Sequence, residues 1–258
     1  LAGGWRAGLE GPDGAYELTP RLVLGADGGL GPVRRLAGLP RGLLRARLAH
    51  TQRPVQAADP PSDTLQFELP TSTRVAGYFW SFPSPRPEGP SRRGHGVYHL
   101  WRLPTRHLAV LLAHRLPPGP APVGAVQRLY QPGLQSAGDG VGLCGEALGA
   151  DPLSGEGIAQ ACLTGARAGA LVAEAFRRDD FRMHAWPRRV LGPEARVLGQ
   201  NALLALAAYG PCQRWITRQV MASPLLAEVS LHRFSGLRHN RAERWALLRR
   251  LVSAMGLW

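Results

Sequence analysis

The sequence predicts an α/β protein in which a parallel-sheet unit is split by an antiparallel β section and followed by a helical tail. Three observations carry this. Short apolar runs at Arg21-Leu22-Val23-Leu24, ending in Gly25, and at Val141-Gly142-Leu143-Cys144 read as buried strands of an open sheet. Leu65, Phe67 and Leu69 alternate with polar neighbours, and residues 97–103 alternate again, the pattern of half-buried antiparallel strands. From Phe181 onward the chain is arginine-studded and helical in pattern, with Pro187, Pro193, Pro211 and Pro224 expected to interrupt it.

Taken in order, residues 5–9 and 15–18 flank Gly11-Pro12-Asp13-Gly14 and read as strand, turn, strand. Proline fixes φ there, and Asp-Gly tolerates the positive φ of a tight reversal. A short helical turn begins at Val33 and stops at Gly38 and Pro40. The section around the alternating strands contains a loop rich in Pro, Arg and Gly from Pro83 to Gly94, and suggests a separate β layer. A glycine-rich loop follows Cys144 and leads into a helix expected from about Gly157 to Phe176. Ala161, Cys162, Gly165, Ala168, Gly169 and Val172 fall on one small face of that helix, which predicts close packing on a sheet.

Composition bounds the function. Hydrophobic residues make up 45% and charged residues 19% of the 258, as in a globular chain with a full core. All 31 basic side chains are arginine against 18 acids, a net charge of +13. Such a field favours anionic partners, phosphorylated cofactors and acidic lipid surfaces among them. No zinc-finger, homeodomain, RRM or basic-zipper pattern supports nucleic acid as a partner. Cys144, Cys162 and Cys212 are too widely spaced for a disulfide framework or a metal-ligand pair, which suits a reducing cytoplasm. The eight histidines form no H-x-x-x-H or H-E-x-x-H pattern, and His184, His232 and His239 are expected at the surface. The longest apolar run, residues 202–208, is far below the ~20 residues of a membrane span.

Two glycine-rich segments carry chemistry. In Gly25-Ala26-Asp27-Gly28-Gly29-Leu30-Gly31, an acid and several glycines follow a strand end, where open α/β sheets bind ligands. Read alone, the segment equally suits an ordinary strand-to-helix turn. The second, Gly145-Glu146-Ala147-Leu148-Gly149-Ala150-Asp151-Pro152-Leu153-Ser154-Gly155-Glu156-Gly157-Ile158, leads into a helix whose unpaired N–H groups and dipole would face whatever occupies the loop.

Gly25-Ala26-Asp27-Gly28 with Val33-Arg34-Arg35 resembles the "ADG…VR" motif of FAD-dependent hydroxylases and geranylgeranyl reductases. The second segment resembles their "GDAAG…P-L-T-G-E-G-I" motif, with Glu146 in place of the usual aspartate. Gly77-Tyr78-Phe79-Trp80-Ser81-Phe82-Pro83 with Gly94-His95-Gly96 resembles the Y-x-W-x-F-P…G-x-G segment of the geranylgeranyl reductases; without its neighbours it would also suit an aromatic core ladder. Leu148-Gly149 and Gly157-Ile158 stand where aromatic hydroxylases usually carry histidine and asparagine, so the reductases are the better match.

The resemblance implies a partial FAD-binding Rossmann-like domain with an inserted antiparallel β substrate domain and a C-terminal helical tail. It divides the chain into residues 1–48 and 136–178 for FAD, 49–135 for substrate and 179–258 for the helical region. The G-x-G-x-x-G unit of the family would lie ahead of Leu1, so the chain is expected to be N-terminally truncated. Asp27, Gly28, Gly145, Glu146, Pro152, Gly155, Gly157 and Ile158 would bind FAD; Tyr78, Trp80, Phe82, Pro83, Gly94 and Gly96 would line the pocket for an isoprenoid or other apolar small molecule. FAD would be reduced by NAD(P)H or a ferredoxin-type donor and would then reduce a C=C bond. A flavin monooxygenase or halogenase relative, or a degenerate non-catalytic fragment, are the alternatives. A cytoplasmic protein with peripheral contact at the inner face of a membrane is expected.

Overall fold

The computed structural model describes residues 5–70, 75–84, 89–101, 103–234 and 249. The chain opens with a hairpin of β1 (Ala7–Gly11) and β2 (Gly14–Leu18), paired from Ala7↔Leu18 to Gly11↔Gly14. Pro12 and Asp13 make the reversal, and Gly14 takes the positive φ (113°) the turn requires. Next come β3 (Val23–Gly25), the short helix α1 (Val33–Leu36) and β4 (Arg45–Pro54).

Then follow β5 (Gln66–Glu68), β6 (Gly77–Ser84), β7 (Arg92–His99), α2 (Thr105–Arg115) and β8 (Val123–Arg128). Together with β4 these strands form a five-stranded antiparallel sheet in the order β5-β6-β7-β4-β8. The alternation seen in the sequence sorts its two faces. On one, Ala49, Phe79 and Val97 are buried under Leu108 and Leu112 of α2. Each such leucine contributes about 1.5–3 kcal/mol by leaving water. On the other, Tyr78 and Tyr98 pack with Ala46, Leu129, Ala150, Ala205 and Tyr209.

The chain then returns through β9 (Ala137–Gly138) and β10 (Val141–Leu143). β10 pairs parallel with β3, Val141 opposite Val23 and Leu143 opposite Gly25, across more than a hundred residues of sequence. A 3-10 turn at Gly145–Ala147 leads to α3 (Ile158–Arg178). α4 (Trp186–Leu191), α5 (Glu194–Ala208), α6 (Gln213–Ala222) and α7 (Pro224–Phe234) complete the described chain.

Two expectations change. Of the tail prolines, Pro193, Pro211 and Pro224 fall at the breaks between helices as expected, Pro193 just before α5 and Pro224 opening α7, but Pro187 lies in the first turn of α4 and interrupts nothing. Proline's missing N–H costs nothing in a first turn, where that group has no helical partner. The buried face of α3 also differs, being Thr164, Ala168 and Ala175, with Leu171 and Val172 beside it. Cys162 and Gly169 are exposed, and a Cβ on Gly165 or Gly169 would meet nothing within 4 Å. The small residues therefore do not press the helix onto a sheet. Instead, α3 packs on α4, whose Trp186 lies over Gly142 and donates from Nε1 to Leu143 O at 2.9 Å.

Candidate functional site

Parallel pairing of β3 and β10 sets the two glycine-rich segments side by side at the carboxyl ends of adjacent strands, and Cys144 N–H donates to Gly25 O at 2.9 Å. Ligands of open α/β sheets bind at that end. In the first loop, Asp27 Oδ2 accepts from Val33 N–H at 2.8 Å and so caps α1. A Cβ on Gly31 would lie 2.0 Å from Asp27 Cγ, so glycine there makes room for the cap. Gly28 is left-handed, with φ 78°. Arg34, buried, donates from Nη1 to Pro40 O (2.7 Å) and Gln135 O (2.8 Å), and from Nη2 to Ala147 O (3.3 Å). It thereby ties the first loop to the second. Burial, and after it the Arg128 charge, pull its pKa down to about 10, with Asp27 offsetting part of the fall.

The second loop is anchored at both ends. Gly145 is left-handed, and its N–H donates to Thr164 Oγ1 at 2.9 Å. Glu146 Oε1 accepts from Gln127 Nε2 at 3.0 Å, and the same Nε2 donates to Gly155 O at 2.8 Å. A Cβ on Gly157 would meet that Glu146 oxygen at 2.8 Å, so the carboxylate lies directly against the start of α3. The Cys144 thiol is pushed up by burial and then by Asp27, so it stays a thiol.

Between these anchors, three tyrosines hold three successive carbonyls. Tyr98 Oη donates to Pro152 O at 2.7 Å, Tyr209 Oη to Leu153 O at 2.7 Å, and Tyr78 Oη to Ser154 O. Burial, reinforced by the neighbouring tyrosines and Asp151, raises the Tyr78 and Tyr98 pKa values well above the usual phenol range. Burial and then Asp151 do the same for Tyr209. All three remain donors. Asp151 Oδ1 accepts from the N–H groups of Leu153 (2.7 Å) and Ser154 (3.2 Å), and Asn201 Nδ2 donates to its Oδ2. Gly155, at φ 67°, lies where a Cβ would be 2.7 Å from the Tyr98 ring.

With the loop's carbonyls turned to the sheet, two backbone donors are left over at its far end. The Gly157 and Ile158 N–H groups have no protein partner among the described residues, whereas the next amide, Ala159 N–H, donates to Glu156 Oε1 at 2.8 Å; Ile158 is 80% exposed. Orphan amides at the start of a 21-residue helix favour an anion or a polar ring edge.

The second group of expected residues lies on β6 and β7. Tyr78, Trp80 and Phe82 share the sheet face toward the loop and form a continuous aromatic row, with ring centroids 6.0 Å apart for Tyr78–Trp80 and 6.3 Å for Trp80–Phe82. Phe67 of β5 extends it, 4.9 Å from Phe82. Gly96 stands opposite Trp80 and Gly94 opposite Phe82; a Cβ on Gly96 would fall 2.0 Å from the Trp80 ring, so the indole lies flat across that glycine. Tyr78 is buried, whereas Trp80, Phe82 and Pro83 are half-buried, and the Pro83 position pairs with Arg93. The row meets the first group through the Tyr78–Ser154 bond.

Sequence reasoning missed Gln127, Thr164, Tyr98, Tyr209 and Asn201, which carry no motif and reach the loop only through folding. It also missed the buried histidines. His99 Nδ1 accepts from Ala76 N–H at 2.9 Å, and burial lowers the pKa of both His95 and His99. His184 is exposed as expected, His232 is half-buried, and His239 lies outside the described residues.

No protein-family model matches the chain. It is 32% identical over 179 residues to a digeranylgeranylglycerophospholipid reductase 2 of Methanothermobacter thermautotrophicus, covering 65% of this chain and 44% of that protein. It is 31% identical over 191 residues to the Methanopyrus kandleri protein of the same name, covering 66% and 46%. The chain thus spans less than half the length of these curated relatives. Among solved structures, a geranylgeranyl bacteriochlorophyll reductase-like protein from Thermoplasma acidophilum superposes with a TM-score of 0.64 at 22% identity, over 78% of this chain and 53% of that one, and so shares its fold.

Proposed function

We propose that this chain, a relative of the digeranylgeranylglycerophospholipid reductases, is the flavin-covering and substrate-facing part of an FAD-dependent oxidoreductase that reduces C=C bonds of an isoprenoid substrate. The observation that carries the reading is the convergence of the two glycine-rich loops at the β3 and β10 ends, with the Gly157 and Ile158 amides left unpartnered at the head of α3.

FAD suits these residues. Gly155 and Gly157 keep the loop thin, the Gly157 and Ile158 amides are without a protein partner among the described residues, and Glu146 Oε2 likewise has none, leaving it for a ribityl hydroxyl. Asp27 and Gly28 would hold the cofactor from the first loop, and Gly145, Glu146, Pro152, Gly155, Gly157 and Ile158 from the second. When bound, FAD supplies the hydride chemistry. The chain's own contribution is to stabilise negative charge with the α3 amides, to hold the loop rigid through the three tyrosines, and to exclude water with the aromatic row. Trp80 and Phe82, with Tyr78, Pro83, Gly94 and Gly96 shaping the wall, would line the path of an apolar isoprenoid. Residues 1–48 and 136–178 would form the cofactor unit, 49–135 the substrate unit and 179–258 a helical region. NAD(P)H or a ferredoxin-type protein would supply electrons in the cytoplasm.

The test is anaerobic turnover of a geranylgeranyl lipid by the protein purified from its complete reading frame, with chemically reduced FAD and mass spectrometry of the lipid. Gain of a hydrogen pair per double bond is expected. Oxygen- or halide-dependent products would make it a monooxygenase or halogenase. A lipid left unchanged with no flavin bound would make it non-catalytic.

A further inference from the structure

The outward side of α6 and the neighbouring edge of α5 form a surface that the flavin reading does not use. Arg214, Arg218 and Met221 recur at i, i+4 and i+7 on α6, and Trp215 flanks them. Trp215 is 63% exposed and Met221 71%, while Ile216 and Val220, on the opposite side of the helix, are half-buried and Thr217 beside them is buried. Leu203 of α5 is equally open at 71%. Between the helices and the β4 end, Trp101 is shared by two grooves. One runs past Arg214, and the other, of about 820 Å³, is lined by Leu203, Leu206, Arg45, Arg47 and Arg196.

The charge on this surface has one sign. From Ala195 to Ala222 the sequence holds Arg196, Arg214 and Arg218 and no acid. The adjacent Glu194 is already paired with Arg167. Exposed tryptophan and methionine beside arginines whose stems can lie along apolar surface is the composition of an interfacial helix. A protein partner would need to bring acids to each arginine as well as apolar cover. An anionic bilayer presents both at once.

We propose that the α5–α6 face docks on an anionic lipid bilayer, with α6 lying in the headgroup layer and the apolar groove open toward the membrane. Arg214 and Arg218 bind the lipid phosphates, and Trp215 and Met221 enter the acyl boundary. No helix among the described residues is long and apolar enough to cross a membrane, so the contact is one of lying on the surface.

The test is co-sedimentation of the cofactor-free chain with phosphatidylcholine vesicles, with and without about a third phosphatidylglycerol, at low salt and at roughly 0.5 M. Binding is expected only to the anionic vesicles and only at low salt. At about 1 kcal/mol per arginine near the surface, the Arg214→Gln/Arg218→Gln double variant should bind roughly thirtyfold more weakly. Trp215→Ser should weaken binding without changing its salt dependence. Arg188→Gln, an exposed charge on α4, should leave binding close to the parent's and shows what a lost charge does elsewhere. Losses with Arg188→Gln as large as those on α6, or equal binding to neutral vesicles, would overturn the proposal. So would failure to bind vesicles together with a dimer, seen by light scattering, that Trp215→Ser dissolves; the face would then join two copies of the chain. None of these readouts uses FAD, so they stand apart from the test of the flavin reading.

Discussion

Tyr98 of β7 donates its hydroxyl hydrogen to Pro152 O at 2.7 Å, joining the antiparallel sheet to the loop that precedes α3. With the Tyr209 and Tyr78 bonds to the next two carbonyls, it makes the loop's shape a property of the sheet and of the α5–α6 corner, not of the loop alone.

Replacing Tyr98 with phenylalanine should therefore leave a carbonyl without its donor and destabilise the protein by about 1–3 kcal/mol, read from urea unfolding. Tyr209→Phe should cost a similar amount. The double variant should depart from additivity, because both bonds restrain one short segment. Purely additive losses would mean that the loop holds its shape unaided.

Gly96 tests the aromatic row. Gly96→Ala forces a Cβ into the Trp80 indole and should destabilise by roughly 1–3 kcal/mol. Adding Trp80→Leu should recover part of that loss, since the smaller side chain vacates the space. Thermal unfolding of the two variants side by side decides it, and no recovery would place the strain elsewhere.

The loops and the helix after them were legible in the sequence because their signals are local: strand ends in glycine, an acid at a strand terminus, glycine before a helix. The tyrosine bonds were not, since 54 to 76 residues separate donor from acceptor and no spacing rule links them. The α3 face was legible only in part: Ala168 is buried as its spacing implies, but Cys162 and Gly169 are exposed, and Thr164, buried too, uses its hydroxyl to hold Gly145. Pro193, Pro211 and Pro224 mark the breaks in the tail, whereas Pro187 breaks nothing, since a first turn tolerates the missing N–H.

Acid should weaken the fold through His95 and His99. Burial holds both below their ordinary 6.5, so the unfolded chain takes up protons first as pH falls. Stability should be flat above about pH 6.5, fall below it, and level off once the folded histidines protonate. Protonating His99 Nδ1 also removes the acceptor for Ala76 N–H. A His95→Gln/His99→Gln variant should show a shallower decline in its unfolding midpoint between about pH 6.5 and 5. An unchanged slope would assign the acid sensitivity to other groups.

Glu146 should matter to the cofactor more than to the fold. It is half-buried, with one oxygen on Gln127. Glu146→Ala should lower FAD affinity by about tenfold to a hundredfold, the loss of one charge-assisted bond, while Glu146→Gln should retain most of it. Equal affinity in all three proteins would remove Glu146 from the site.

The amides at the head of α3 can be tested most directly by titrating FAD into the protein from its complete reading frame and into its Gly157→Val variant, following the flavin absorbance band. The parent should take up FAD with a resolved, red-shifted spectrum. The variant, with a side chain pressed against Glu146 where the backbone should meet the ring, should unfold at a somewhat lower temperature, stay folded under the conditions of the titration, and bind none. A parent that stays colourless, or a variant that binds as tightly as the parent, would contradict the account.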